Sequence, residues 1–112
     1  MNIDTNEKLD AYIKYLKQEQ AINSGFSLDH FEIKILNQVL FAFQEGNSLR
    51  VSDILSLKNI ASPATLHAAL KKLSSKGLIE YRTVADSRVK YVQLTKLGIK
   101  RYVELASQLI AV

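Results

Sequence analysis

Residues 62–98 read SPATLHAALKKLSSKGLIEYRTVADSRVKYVQLTKLG, and this stretch decides the fold. Ser62 followed by Pro63 is typical of a helix N-terminus, because serine caps free N–H groups and proline is tolerated in the first turn. Apolar residues then recur with helical spacing until Gly77, which is typical of a helix end. The sequence therefore predicts a helix over residues 63–76.

A β-hairpin is predicted directly after this helix. Residues 78–83 and 89–94 are rich in β-branched and aromatic side chains, as strands are. The connection between them carries Asp86 and Arg88, two positions apart. A charge-assisted bond would let the Asp86 carboxylate aim the guanidinium outward. The alternative interpretation is an ordinary surface ion pair.

Working outward, the pattern predicts helices on both sides. Thr95 can cap a last helix, and a break at 23–25 lets Ser27 or Asp29 cap the second one. The remaining predicted elements are helices over residues 6–21, 28–44, 53–57 and 96–111 and a short strand over 49–51. The predicted fold class is mainly α with a small β-hairpin (α+β), in the order α-α-(β)-α-α-β-β-α. This is the winged helix-turn-helix arrangement.

The order of motifs resembles the MarR-type family of winged-helix regulators. A recognition helix, a Lys-Gly-Leu-Ile turn at 76–79, an Asp-x-Arg wing at 86–88 and Leu-Thr-x-x-Gly at 94–98 follow one another, and the resemblance covers residues 27–98. It implies sequence-specific regulation of transcription, with Arg88 in the minor groove. Ala68 stands where an arginine is common in these helices, which predicts poorer base reading.

The candidate DNA-binding residues lie on the recognition helix and the hairpin. A helix that enters the major groove must bury one face and keep bulky side chains off the other. Thr65 and His67 can touch base edges, Ser62 suits a phosphate, and the lysines suit the backbone. The predicted set is Ser62, Ala64, Thr65, His67, Ala68, Lys71, Lys72, Arg82, Arg88 and Lys90.

Charge is distributed unevenly along the chain. Residues 1–47 hold four Lys and Arg against seven Asp and Glu, whereas residues 48–112 hold eleven against four, and the net charge is +4. A basic half of this kind attracts polyanions, and nucleic acid is a common one. The alternative is an unevenly decorated solvated surface. The charge therefore agrees with double-stranded DNA as the partner.

The chain length predicts one domain over residues 1–112. Its helical arms, 1–26 and 96–112, carry apolar side chains that include Tyr12, Leu16, Leu105 and Leu109. These side chains can pair with a second subunit or pack on the core. We predict a homodimer through the arms. A ligand-gated regulator is a further hypothesis, with an aromatic acid or similar effector against Phe26, Phe31, Phe41 and Phe43.

Several functions have no support in the sequence. Cysteine is absent, which fits the cytoplasm, and His30 and His67 have no metal-ligand spacing. No nucleotide-binding or nucleophile motif occurs, so we expect no enzyme, no cofactor and no metal. No apolar run approaches the length of a membrane span. The alternative to DNA binding is a protein-interaction module on the same scaffold.

Overall fold

The structure, a computed structural model, describes residues 3–85 and 88–110. Within them it has five helices and three strands, in the predicted order. They are α1 (Ile3–Gly25), α2 (His30–Gln44), β1 (Leu49–Arg50), α3 (Val51–Leu55), α4 (Pro63–Ser75), β2 (Ile79–Thr83), β3 (Lys90–Leu94) and α5 (Lys96–Ile110). Asp86, predicted to pair with Arg88, lies outside the described residues.

The chain divides into two compact units, and the boundary falls inside α5. Residues Asp29–Ile99 form what we call the winged unit, and Met1–Leu28 with Lys100–Val112 form the terminal unit. None of the described helices is long and apolar enough to cross a membrane.

The winged unit is built on a three-stranded antiparallel sheet in the order β1-β3-β2. Strand β3 is central, with Leu49 opposite Val92 on one side and Tyr81 opposite Val92 on the other. Helices α2, α3 and α4 and the turn before β2 contribute the rest of the core. Its buried apolar residues are Ile35, Leu36, Val39, Ala42, Ile54, Leu66, Ala69, Leu70, Leu73, Leu78, Ile79, Val92 and Leu94.

The glycines around the hairpin explain two of the quoted motifs. Gly77 ends α4 with a φ of +74°, a conformation that costs other residues energy. A Cβ on Gly98 would lie 2.3 Å from the carbonyl oxygen of Leu78. The hydroxyl of Thr95 accepts the N–H of Gly98 and donates to the carbonyl of Gly77. The Lys-Gly-Leu-Ile and Leu-Thr-x-x-Gly motifs therefore lock the start of α5 against the turn before β2.

Several local expectations were wrong. The predicted break at 23–25 comes too early, because α1 continues to Gly25. Asp29 caps α2, whereas Ser27 takes a φ of +53° in the turn before it. Helix α3 starts at Val51, two residues before the predicted start, because Asp53 folds back onto the N–H and guanidinium of Arg50.

Helical spacing in the sequence predicts one apolar face on α2, and this face is only partly buried. Its predicted members are Phe31, Ile35, Leu36, Val39, Leu40 and Phe43. Phe43 is 61% exposed and Phe31 is half-buried, whereas the neighbouring acid Glu32 is buried. Phe41 is exposed as well, so it is not a core residue either. The periodicity alone identified the buried centre of this helix and missed its two ends.

The terminal unit has few buried apolar side chains. Leu105 is buried, whereas Leu9, Tyr12, Ile13, Val103 and Leu109 are exposed. Its centre is the buried Arg101, whose Nε and Nη2 both donate to Oδ1 of Asn23, at 3.2 and 2.6 Å. The guanidinium also lies 5.0 Å from the ring of Tyr102, and burial raises the pKa of Tyr102 to about 12.

Candidate nucleic-acid interface

Helix α4 has the two faces that a recognition helix needs. Leu66, Leu70 and Leu73 are buried against the winged unit. Ser62 caps the helix, because its hydroxyl oxygen accepts the N–H of Thr65 at 3.3 Å. The same hydroxyl donates to the Thr65 hydroxyl at 3.1 Å. The cap fixes the first turn and leaves the opposite face of the helix available to a ligand.

That opposite face carries all of the helix residues predicted to meet DNA. Thr65 is half-buried, and the others are exposed: Ser62, Ala64, His67, Ala68, Lys71 and Lys72. Their small side chains at 64 and 68 leave room for a groove edge to approach the helix. The structure brings these residues onto one surface, and their contact with DNA stays a prediction.

Lys72 differs from the rest, because its ammonium is paired. Its Nζ lies 3.4 Å from Oδ2 of Asp29, the residue that caps α2. The two side chains line one open groove together with Phe31, Thr65 and Ala68. Partial burial alone would raise the pKa of Asp29, but the N–H of Glu32 and the ammonium of Lys72 bring it below its usual value.

The second half of the interface is the wing, whose cations lie on both of its faces. Arg82 is paired with Tyr91 across the hairpin, and its guanidinium sits 5.2 Å from that ring. Lys90 is one residue from Tyr91 and therefore points to the other face, where it lies 5.9 Å from the Tyr81 ring. Arg82 and Lys90 therefore present positive charge on opposite sides of the hairpin.

Arg50, which is paired with Asp53 at 3.1 Å, is a further cation near the wing that the sequence did not indicate. The strand register places it beside Tyr91, on the same face as Arg82. It also lines a shallow groove with Ser52, Arg88 and Lys90 at the loop end of the hairpin. Pairing of β1 with β3 brings it there across roughly 40 residues of chain, and nothing in the local pattern around 49–51 indicates that partner.

Comparison with solved structures finds the same fold in other proteins. A crystal structure of the S. aureus MepR–DNA complex has a TM-score of 0.69 at 24% identity and covers 92% of this chain and 73% of that one. S. aureus MepR bound to ethidium bromide has 0.68 at 20% identity, covering 97% and 76%. The transcriptional regulator Tm0710 from Thermotoga maritima has 0.66 at 14% identity, covering 94% and 72%.

The sequence matches no family model and no curated protein. The similarity therefore lies in the fold, and it confirms the winged-helix arrangement that the motifs predicted. The likeness extends over nearly the whole chain and includes both terminal helices.

Proposed function

We propose that this chain is a transcriptional regulator that binds double-stranded DNA sequence-specifically, with α4 in the major groove and the wing in the minor groove. The observation that carries the proposal is the two-faced α4. Its leucines are buried, while small and basic residues cover its exposed face. A polyanion with a wide groove is the ligand that fits such a surface.

The roles of the residues follow from their positions. Thr65 and His67 lie in the first half of α4 and would read base edges, as the N-terminal part of a recognition helix does. The exposed Lys71 would meet a phosphate, as would the Ser62 cap at the helix start. Arg88 would enter the minor groove, where narrow A·T-rich DNA concentrates negative potential.

A homodimer through the terminal unit belongs to the same proposal. Exposed apolar side chains on both terminal helices support it, because a second copy would remove them from water. A two-fold protein would read two half-sites about one helical turn apart. The MepR–DNA complex supports DNA as the partner, and the ethidium-bound MepR supports a small-molecule effector as a second candidate property.

The test is a fluorescence-anisotropy titration of two labelled duplexes, one from the promoter of the protein's own locus and one random. Each is measured at 50 and 200 mM NaCl, with light scattering on the free protein. We expect dimers that prefer the promoter duplex and lose affinity as salt rises. Absence of salt-sensitive binding to either duplex would contradict the proposal and favour a protein-interaction module.

Substitutions at the proposed DNA-binding residues test the roles that we assign to them. Arg88→Ala should weaken promoter binding by about 1–3 kcal/mol, whereas the matched control Lys34→Ala removes the same charge from an exposed site on α2 that we assign no contact. Thr65→Ala combined with His67→Ala should lower the preference for promoter over random duplex more than the overall affinity. Equal effects of Arg88→Ala and Lys34→Ala would remove the wing from the mechanism.

A further inference from the structure

The capping box at the start of α2 is joined to the recognition helix by two ion pairs. One oxygen of each carboxylate serves the cap: Asp29 accepts the N–H of Glu32 at 2.8 Å, and Glu32 accepts the N–H of Asp29 at 3.0 Å. The second oxygens accept from Lys72 of α4 and from Lys76, which caps the C-terminal end of that helix. Lys72 lies 3.4 Å from Asp29, and Lys76 lies 2.6 Å from Glu32.

The two ion pairs lie in different environments. The Glu32 side chain is 1% exposed, so the pair with Lys76 is part of the packing between α2 and α4. The Asp29 and Lys72 side chains are 42% and 58% exposed. They also line the groove that contains Thr65 and Ala68, on the surface assigned to DNA. Asp29 therefore places a carboxylate where a phosphate would approach.

We propose that Asp29 withholds Lys72 from the DNA backbone and so limits sequence-independent binding. The inference rests on the proposed DNA-binding function. A phosphate that approached Lys72 would have to displace the carboxylate and would meet its negative charge. Lys71, one position along α4, has no ion-pair partner among the described residues. Of these two adjacent lysines, Lys71 is the one that we assign to a phosphate, whereas Lys72 is paired with Asp29.

The consequence concerns background binding to DNA of any sequence. Affinity for random duplex comes from neutralised phosphates, and each contact steepens the dependence of log K on log salt by about 0.9. Withholding one lysine therefore removes about one such contact. A regulator with fewer sequence-independent contacts is less occupied by competing sites along a genome.

The experiment titrates one random-sequence duplex at several NaCl concentrations with the full chain and four variants. Asp29→Asn keeps the helix cap, because asparagine caps as well as aspartate. Lys72→Ala removes the withheld cation, and the double variant removes both. Glu45→Gln is the control for net charge, since it removes an exposed acid at the other end of α2. Thermal melts confirm that each variant is folded.

We expect Asp29→Asn to bind random duplex about fivefold more tightly at 50 mM NaCl, with a slope steeper by about 0.9, so that the gain shrinks by about threefold at 200 mM. Lys72→Ala should stay within about twofold of the unmodified chain but cancel most of the gain in the double variant. Glu45→Gln should change neither quantity.

Two results would overturn the inference while leaving the proposed function intact. One is an Asp29→Asn slope equal to that of the unmodified chain. The other is a Lys72→Ala slope flatter by about 0.9 in the presence of Asp29, since Lys72 would then already contact a phosphate. Failure of the unmodified chain to bind any duplex in a salt-dependent way would instead reject the proposed function, and this inference with it.

Discussion

The winged unit and the terminal unit bury their side chains very differently. Among the described residues, Leu105 is the one buried apolar side chain of the terminal unit, and all the others belong to the winged unit. The helices of the terminal unit instead expose large apolar groups, such as Leu109 at 67% and Tyr12 at 60%. The winged unit has a core of its own, whereas the terminal helices have surface that a partner would bury.

The two units also differ in how they accommodate a buried charged side chain. Glu32 in the winged unit meets an ammonium and a backbone N–H. Arg101 in the terminal unit meets the neutral amide of Asn23, and its Nη1 has no hydrogen-bond partner. No carboxylate lies within ion-pair distance of Arg101 among the described residues. Loss of the counter-ion of a paired buried charge should therefore cost more stability than removal of a buried charge that has no counter-ion.

The largest expected effect comes from Lys76→Met. Removal of the ammonium leaves Glu32 as an uncompensated buried charge, which costs about 3–5 kcal/mol of unfolding free energy. Arg101→Met is the comparison, and it should cost no more than about 1 kcal/mol because it removes a buried charge that has no counter-ion. Urea unfolding followed by circular dichroism measures both. Equal losses of unfolding free energy would contradict the expected difference between a buried charge with a counter-ion and one without.

Gly98→Ala should have the next largest effect. The new methyl group would collide with the carbonyl of Leu78 and must displace the turn or α5, at a cost of about 1–3 kcal/mol. Gly25→Ala in the terminal unit is the matched control, since a Cβ there meets nothing within 4 Å. Thermal melts of the two variants separate the cost of the collision from the general effect of replacing glycine by alanine. A Gly98→Ala variant as stable as the control would mean that the turn relaxes freely.

Charge on the terminal helices should weaken the proposed dimer and leave the fold intact. Tyr12→Glu combined with Leu109→Glu replaces two exposed apolar side chains by carboxylates. Because both positions are already exposed, the free energy of unfolding should fall by less than about 0.5 kcal/mol. The proposed dimer should dissociate at least about tenfold more readily, measured by sedimentation equilibrium, because buried like charges oppose association. An unchanged oligomeric state would place the dimer interface elsewhere.

The smallest expected effect is the pH dependence of the Asp29 cap. The pKa of Asp29 is lower in the folded chain than its ordinary value of 3.8. Its stabilising contribution is therefore present above pH 3.8 and is lost as pH falls through the folded pKa. Asp29 is well exposed, so the contribution should be below about 1 kcal/mol. Urea melts of Asp29→Asn and the unmodified chain should differ at pH 6 and converge near pH 2.

The sequence predicted features that depend on near neighbours. Ser62-Pro63 and Gly77 set the ends of α4, because caps and turns are decided within a few residues. The hairpin follows from two nearby runs of β-branched and aromatic residues. The motifs also located the exposed face of α4 correctly. The local sequence pattern was therefore sufficient to predict these elements.

Features that depend on residues far apart in the chain were not predicted from the sequence. Asp29 was recognised as a cap but not as the partner of Lys72, which lies 43 positions away. Arg50 joins the wing only through its strand pairing with β3. Phe43 fits the helical period of α2, yet its exposure is set by which elements pack beside it. One-dimensional periodicity carries no information on such neighbours.

The position of β3 at the centre of the sheet has a consequence for how the chain folds. Strands β2 and β3 are joined by a short connection and can pair early, whereas β1 must find β3 across roughly 40 residues, which costs loop-closure entropy. We therefore expect the hairpin to form before β1 joins it. Substitutions in β2 or β3 would then slow folding, whereas substitutions in β1 would mainly speed unfolding.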